Sequence, residues 1–191
     1  MSARKQLWLL AGGNGAGKST FYRLFLKDTG LPFVNADVIA RTLFSDAPEA
    51  HSYAAAQIAQ MQRDRLLLDG HSFCFETVFS HPSKIDFVAR AKALGYEVIV
   101  VAIHLHDIGL HQARVIQRVA EGGHSVPPDK VASRIPRTLA HLQAVLPLCD
   151  EMRVLDNSSA QDPFRPLLVI KHGRVLEQAD ALPAWCLSLI G

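Results

Sequence analysis

A glycine-rich run near the N-terminus has the residue types and spacing of a phosphate-binding loop. It matches the pattern G-x-x-x-x-G-K-[ST], with an apolar strand pattern before it and a helical pattern after it. The glycines let successive backbone N–H groups turn toward one point, and the helix that follows adds the positive end of its dipole. Lys18 supplies a positive charge for β- and γ-phosphates, and the Ser19 hydroxyl is a ligand for Mg²⁺. The run therefore predicts a site for a nucleoside triphosphate with Mg²⁺. Its residues are Gly12, Gly13, Asn14, Gly15, Ala16, Gly17, Lys18, Ser19 and Thr20.

Two carboxylates follow predicted strands and should face this loop. Asp37 comes after the second strand and Glu76 after the third. Phosphoryl transfer to a hydroxyl needs a carboxylate that orients the hydroxyl and takes its proton, and a second can hold the metal or bind substrate. Asp37 could instead cap a helix that starts at Val38, and Glu76 could form a salt bridge with a neighbour. Asp37 could therefore act on the acceptor hydroxyl, cap the helix, or do both.

Two arginine pairs lie on consecutive predicted helices. Arg114 and Arg118 are four residues apart, and Arg134 and Arg137 are three apart, so each pair shares a helix face. A glycine break joins the helices, and we expect the segment 108–146 to act as a lid that brings guanidinium groups to a polyphosphate. The alternative is a solvated basic face.

Weaker signals come from a histidine, a loop and one further helix. His124, in the segment between the arginine helices, is the histidine that we expect near the site. Asn157 follows the last core strand, where adenine often docks in P-loop kinases, although a polar turn explains it equally well. Tyr53, Gln57 and Met61 share a helix face that we expect to belong to the core rather than to a substrate pocket.

The elements that must position these residues alternate between strand and helix. Apolar runs predict strands at 7–11, 33–35, 72–75, 96–105 and 152–155, and helical patterns separate them. Such alternation predicts an α/β fold with a mostly parallel sheet flanked by helices, whose function sits at the carboxyl ends of the strands. A β-hairpin and a closing helix follow over about 164–190. We expect residues 1–191 to form a single P-loop kinase domain.

The whole-chain properties exclude several other classes. With 191 residues and a formal net charge of +2, the chain can bury a core but gives no general electrostatic reason for binding nucleic acid or membrane. Cys74, Cys149 and Cys186 are far apart and have apolar neighbours, which predicts reduced thiols and a cytoplasmic protein. No stretch is long enough to span a bilayer.

The motifs in order resemble the zeta toxin family of P-loop kinases. The phosphate loop is followed by Asn35-Ala36-Asp37, then Phe75-Glu76-Thr77, then Arg118 with Gly-Gly-His-Ser-Val-Pro and Arg134, then Asp156-Asn157-Ser158. The resemblance covers residues 7–158. The short length and the Gly-Gly-His segment are similar to the compact chromosomal members of the family.

The resemblance implies an activity and a set of roles. ATP would be the donor, Mg²⁺ the cofactor, and a small molecule the acceptor, with the sugar hydroxyl of UDP-N-acetylglucosamine as the leading candidate. Lys18 and Ser19 would hold phosphate and metal, and Asp37 would activate the acceptor hydroxyl. Arg118 and Arg134 would stabilise the transferring phosphoryl group. Glu76, with Thr77 and His124, would line the acceptor pocket. The sequence shows no antitoxin-like region before the first strand, so a separate antitoxin protein is a partner to consider.

Two further functions remain as alternatives. A nucleic-acid 5′-hydroxyl kinase would need a basic channel with stacking aromatics, which a chain with 7% aromatic residues and near-neutral charge does not favour. A non-catalytic nucleotide-binding switch needs no acceptor base, so it would be favoured if replacement of Asp37 had no effect on function.

Overall fold

The computed structural model describes residues 4–121, 123 and 125–191. Within these residues a seven-stranded sheet has the order β2-β3-β1-β4-β5-β6-β7. Strands β1 to β5 pair in parallel, and β6 and β7 are added antiparallel as a hairpin. The predicted α/β fold with a mostly parallel sheet and a C-terminal hairpin is confirmed. The strands are β1 (Gln6–Ala11), β2 (Phe33–Val34), β3 (Phe73–Thr77), β4 (Glu97–His104), β5 (Glu151–Asp156), β6 (Arg165–Lys171) and β7 (Arg174–Gln178).

Helices cover both faces of the sheet, which explains why its central strands are almost continuously apolar. Strand β4 carries the run Val98–Ile103, β-branched except for Ala102, between β1 and β5, and seven of the eight residues of β4 are buried. The helices are α1 (Lys18–Phe21, continued by a π-helical segment, Tyr22–Leu26, and a 3₁₀ turn, Lys27–Thr29), α2 (Ala36–Leu43), α3 (Ser52–Leu68), α4 (Ser83–Ala93), α5 (Ile108–Ala120), α6 (Pro128–Val145) and α7 (Ala184–Ile190). Among the described residues, no helix is both long and apolar enough to cross a membrane.

The start of helix α2 differs from the sequence prediction in a way that matters for the site. The helix begins at Ala36, and the Asn35 side chain accepts hydrogen bonds from the backbone N–H groups of Asp37 (2.7 Å) and Val38 (3.2 Å). Asn35 is therefore the N-cap, because its oxygen satisfies the first free donors of the helix. The interpretation of Asp37 as the cap is wrong, and its carboxylate is available for another role.

Strand register brings the functional segments together at the carboxyl ends of the central strands. Glu76 and Thr77 of β3 pair with Leu10 and Ala11 of β1, the last residues before the glycine loop. At the far side, α7 packs against α6 through the buried Cys186 and Leu189. The three cysteines are buried and not disulfide-bonded.

Candidate active site

The glycine loop wraps around the Lys18 side chain. The Lys18 ammonium donates hydrogen bonds to the carbonyl oxygens of Gly12 (2.9 Å) and Gly13 (3.0 Å), and the side chain is buried. Burial lowers the pKa of Lys18, and the charges of Glu76 and Asp37 act in the opposite direction. A side chain at Gly12 is excluded, because a Cβ there would lie 2.1 Å from the Ile103 carbonyl oxygen of β4. The loop is thus a rigid cradle with one positive charge inside it.

Two side chains from distant parts of the sequence hold this loop in place. A ring N–H of His111, at Nδ1, donates to the Asn14 carbonyl oxygen (2.7 Å), and the Asn157 amide donates to the Ala16 carbonyl oxygen (2.9 Å). The Asn157 oxygen also accepts from the Phe164 N–H (3.3 Å). Burial is the largest cause that lowers the pKa of His111, so the ring is neutral near pH 7. The sequence predicts Asn157 beside adenine, whereas no sequence pattern marks His111 as part of the site.

Glu76 and Ser19 form a pair at the edge of the loop. The Ser19 hydroxyl donates to the Glu76 carboxylate with an Oγ–Oε2 distance of 2.7 Å. Among the described residues Glu76 is paired with the loop rather than with a basic side chain. A hydroxyl and a carboxylate are oxygen donors that suit Mg²⁺, which fills its remaining positions with phosphate oxygens and water. These two residues therefore fit a magnesium ion beside the phosphates.

Asp37 lies in the first turn of α2 and faces helix α5. Its Oδ2 atom is 3.9 Å from Nη1 of Arg118, and the Asp37 side chain is 47% exposed. The carboxylate is therefore reachable from solvent and held only loosely. It can approach a bound hydroxyl without leaving a tight ion pair.

Helix α5 of the predicted lid brings two arginines to the loop, and α6 brings one. Arg118 of α5 lines the space beside Asp37, and Nη1 of Arg134 on α6 donates to the Asn14 side-chain oxygen (3.2 Å). Arg114 lines the space on the other side of the loop. Arg137 points away: its side chain is exposed and its Nε donates to the Ser133 carbonyl oxygen of its own helix (3.2 Å). The structure thus brings together three of the four predicted arginines.

The segment between α5 and α6 is described only in part. The backbone N–H of Gly123 donates to the Arg118 carbonyl oxygen (2.8 Å), which closes the end of α5. The Ser125 N–H donates to the Glu49 carboxylate (2.8 Å). His124, which we expected near the site, lies outside the described residues, as does Gly122.

Two clefts meet over the loop and share Lys18, Glu76 and Arg118. The first, which we call the loop cleft, has a volume of about 450 Å³. The second, the acceptor cleft, has about 520 Å³. Residues that line the loop cleft include Gly15, Gly17, Ser19, Thr20, Arg114, Asn157 and Phe164. Residues that line the acceptor cleft include Asn14, Asp37, Tyr53, Gln57, Thr77 and Arg134. A phosphate donor in the first cleft would face an acceptor in the second.

The residues that line the acceptor cleft include one face of helix α3 and Thr77 of β3. Tyr53 and Gln57 line this cleft, and Tyr53 and Met61 are 76% and 70% exposed, so the assignment of this helix face to the core is wrong. The face of α3 that packs inward instead carries Ala55, Ala59, Arg63 and Leu67. Thr77 lies in the cleft wall, and its hydroxyl oxygen accepts from the Phe79 N–H (3.0 Å), which fixes the side chain.

The sheet order and the glycine loop define a P-loop nucleotide-binding fold. The family model described as Zeta toxin matches residues 1–162, and the chain belongs to this family. The β6–β7 hairpin and α7 lie beyond the matched segment.

Individual proteins resemble this chain in sequence or in fold. An uncharacterized protein of Haemophilus influenzae is 29% identical over 138 residues, which cover 69% of this chain and 98% of that protein. A crystal structure of the AvrRxo1-ORF1:AvrRxo1-ORF2 complex with sulphate ions matches with a TM-score of 0.73 and 19% identity, over 91% of this chain and 61% of that one. The same complex with ATP matches with a TM-score of 0.71.

A third solved structure belongs to the PezAT chromosomal toxin–antitoxin system of Streptococcus pneumoniae. It matches with a TM-score of 0.63 and 16% identity, over 81% of this chain and 68% of that one. At these identities the likeness shows the fold. This chain spans about 61% of the length of the AvrRxo1 chain that it matches.

Proposed function

We propose that the protein is a kinase that transfers the γ-phosphoryl group of ATP, with Mg²⁺, to a hydroxyl group of a small acceptor. The observation that carries this proposal is the pair of clefts that share Lys18, Glu76 and Arg118. A switch that only binds nucleotide needs the loop cleft alone. A second cleft that contains Asp37 and opens on the same lysine is what a transfer reaction requires.

The residues around the loop would bind and orient the donor. The loop N–H groups and the Lys18 ammonium would hold the β- and γ-phosphates. Ser19 and Glu76 would hold Mg²⁺, which when bound neutralises charge on the phosphate oxygens. Their contact at 2.7 Å keeps both oxygens on one side of the loop.

The residues of the acceptor cleft would act on the hydroxyl group. Asp37 would accept the proton of the hydroxyl as its oxygen attacks the γ-phosphorus, and the bond from that phosphorus to the β–γ bridging oxygen breaks to leave ADP. Arg118 and Arg134 reach the loop from two different helices, so both guanidinium groups can contact the oxygens of the transferring group. The leading acceptor candidate is UDP-N-acetylglucosamine, on the strength of the family resemblance. The toxin–antitoxin neighbour supports a search for an antitoxin partner.

The proposal is tested by incubating the protein with ATP, Mg²⁺ and a panel of acceptors, followed by mass spectrometry. The panel contains nucleotide sugars, free sugars and 5′-hydroxyl oligonucleotides. We expect a phosphorylated small molecule that is absent when Lys18→Ala replaces the wild type. Phosphorylation of the oligonucleotides alone would favour the nucleic-acid alternative, and binding of ATP with no product would favour the switch.

A further inference from the structure

Arg63 is a buried cation without a conventional partner. It lies on the inner face of α3 and is 7% exposed. Among the described residues it forms no hydrogen bond or salt bridge, and its Nε atom is fully buried without a hydrogen-bond partner. Its guanidinium carbon lies 5.1 Å from the centre of the Phe75 ring and 5.9 Å from that of Phe87. Stacking on two rings satisfies the flat faces of the guanidinium group but leaves the buried Nε–H donor without a partner.

The neighbouring acidic residue, Asp64, does not form a salt bridge with Arg63 among the described residues. Asp64, the next residue on α3, accepts a hydrogen bond from Arg90 with an Nη1–Oδ1 distance of 2.9 Å. Its charge favours the protonated state of Arg63, yet burial lowers the pKa of Arg63. A buried charge without hydrogen-bonded compensation destabilises the folded state. The position is therefore better explained by a ligand than by stability.

A second cation stands beside the first. Lys84, in the first turn of α4, is partly buried and lines the acceptor cleft together with Arg63. Burial lowers the pKa of Lys84, and the charge of Arg63 lowers it further. Two neighbouring cations with donors only are suited to an anion that offers several acceptor oxygens.

We propose that Arg63 and Lys84 form a subsite for a phosphate or diphosphate group carried by the acceptor. This inference rests on the proposed function in that the subsite belongs to the acceptor cleft. The donor phosphates belong to the glycine loop around Lys18, whereas Arg63 lies over Phe75, two residues before the end of β3 at Thr77. A guanidinium group at this depth holds a distal part of the acceptor while its hydroxyl faces Asp37. The subsite selects phosphorylated acceptors against neutral sugars.

The first experiment measures anion binding without any transfer reaction. Protein saturated with ADP in the absence of Mg²⁺, so that the loop cleft is filled and no metal complexes the probe, is titrated calorimetrically with inorganic pyrophosphate. We expect Arg63→Met, which keeps the length of the buried stem, to weaken binding roughly 10- to 100-fold, as expected for loss of a charge-assisted contact. Lys84→Gln, on another helix, should weaken binding as well.

Arg65→Met is the matched control. Arg65 lies on the same helix, its side chain is 79% exposed, and it forms a salt bridge with Asp69 at the helix end. Its replacement should leave pyrophosphate affinity unchanged. The melting temperature of Arg63→Met without ligand should equal or exceed that of the wild type, because an uncompensated buried charge is removed. Equal pyrophosphate affinity in the wild type and Arg63→Met, or no binding to the wild type, overturns the subsite.

The second experiment separates this inference from the kinase proposal. Acceptor kinetics compare N-acetylglucosamine 1-phosphate with free N-acetylglucosamine, which differ only in the phosphate. We expect Arg63→Met to raise KM for the phosphorylated sugar with little change in kcat. Pyrophosphate binding that depends on Arg63, with no transfer to any acceptor, supports the subsite and refutes the kinase. Transfer to both sugars that is equal in Arg63→Met supports the kinase and refutes the subsite.

Discussion

Replacing Asp37 with Asn separates a structural role of this residue from a catalytic one. The helix cap is unaffected, because Asn35 caps α2. The lost interactions are a loose contact with Arg118 at 3.9 Å, between side chains 47% and 36% exposed, and a negative charge in the first helical turn. Exposed ion pairs and first-turn charges each contribute up to about 1 kcal/mol. We expect a total loss of about 1 kcal/mol, which in a chain of this size lowers the melting temperature by about 2–4 °C.

The effect on phosphoryl transfer should be far larger. The amide of Asn accepts no proton near neutral pH, and general-base assistance contributes about 10²–10⁴-fold to a rate. That range corresponds to about 3–5 kcal/mol of transition-state stabilisation, several times the expected change in folding free energy. The variant should therefore fold and bind ATP with Mg²⁺ while it loses most of its turnover.

The assay measures thermal unfolding, ATP affinity and kcat on the same preparations. Asp86→Asn is the control, because Asp86 is also exposed in the first turn of a helix, α4, and does not line either cleft. The control should show a similar small stability change and normal kcat. A stable Asp37→Asn protein with normal turnover would refute the reasoning and make Glu76 the next candidate base. An Asp37→Asn protein that melts far below the control would show that Asp37 is chiefly structural.

Three further predictions concern the loop, the lid and acid stability. Lys18→Ala should abolish transfer and sharply weaken ATP binding without unfolding the protein, which turnover, calorimetry and circular dichroism would check. Arg118→Ala and Arg134→Ala should each lower kcat by roughly 10²–10⁵-fold with little change in ATP affinity. Arg137→Ala, outside both clefts, should leave kcat unchanged. Near-normal kcat in both Arg118→Ala and Arg134→Ala would show that these arginines form a solvated face and not a lid. Burial lowers the pKa of His104 to about 4, so the folded protein binds fewer protons than the unfolded chain and loses about 3 kcal/mol as the pH falls from about 6.5 to 4. Urea denaturation across that range should show a shallower loss in His104→Gln, and identical slopes would contradict the assignment.

The sequence predicts the parts of the site that depend on local pattern. The glycine loop is a contiguous motif, and the carboxyl ends of parallel strands converge, so the positions of Lys18, Asp37 and Glu76 follow from strand order alone. Helical spacing gives two arginine pairs, but it cannot decide which member of a pair faces the loop. In the structure the turn of α6 directs Arg134 inward and Arg137 outward.

The remaining contacts depend on residues far apart in the chain. His111 and Asn157 reach the loop across sequence separations of 97 and 141 residues, which no periodicity records. Arg63 occupies an inward position of α3, where a pattern predicts an apolar residue, and only its ring neighbours and missing partner reveal an unusual site. For Tyr53 the helical pattern predicts an inward position, because an aromatic residue on a helix usually packs inward, but the side chain borders a cleft.

The central claim is that γ-phosphate leaves ATP for an acceptor bound beside Asp37. It is tested most directly by supplying ATP labelled at the γ-phosphorus or at the α-phosphorus, with Mg²⁺ and UDP-N-acetylglucosamine, to the wild-type and Asp37→Asn proteins. We expect acceptor that is labelled only from the γ-position, and a loss of about 10²–10⁴-fold in transfer rate in the variant at unchanged ATP affinity. No labelled product from this acceptor or from the wider panel, with both proteins binding ATP alike, would contradict the kinase and leave a nucleotide-binding switch.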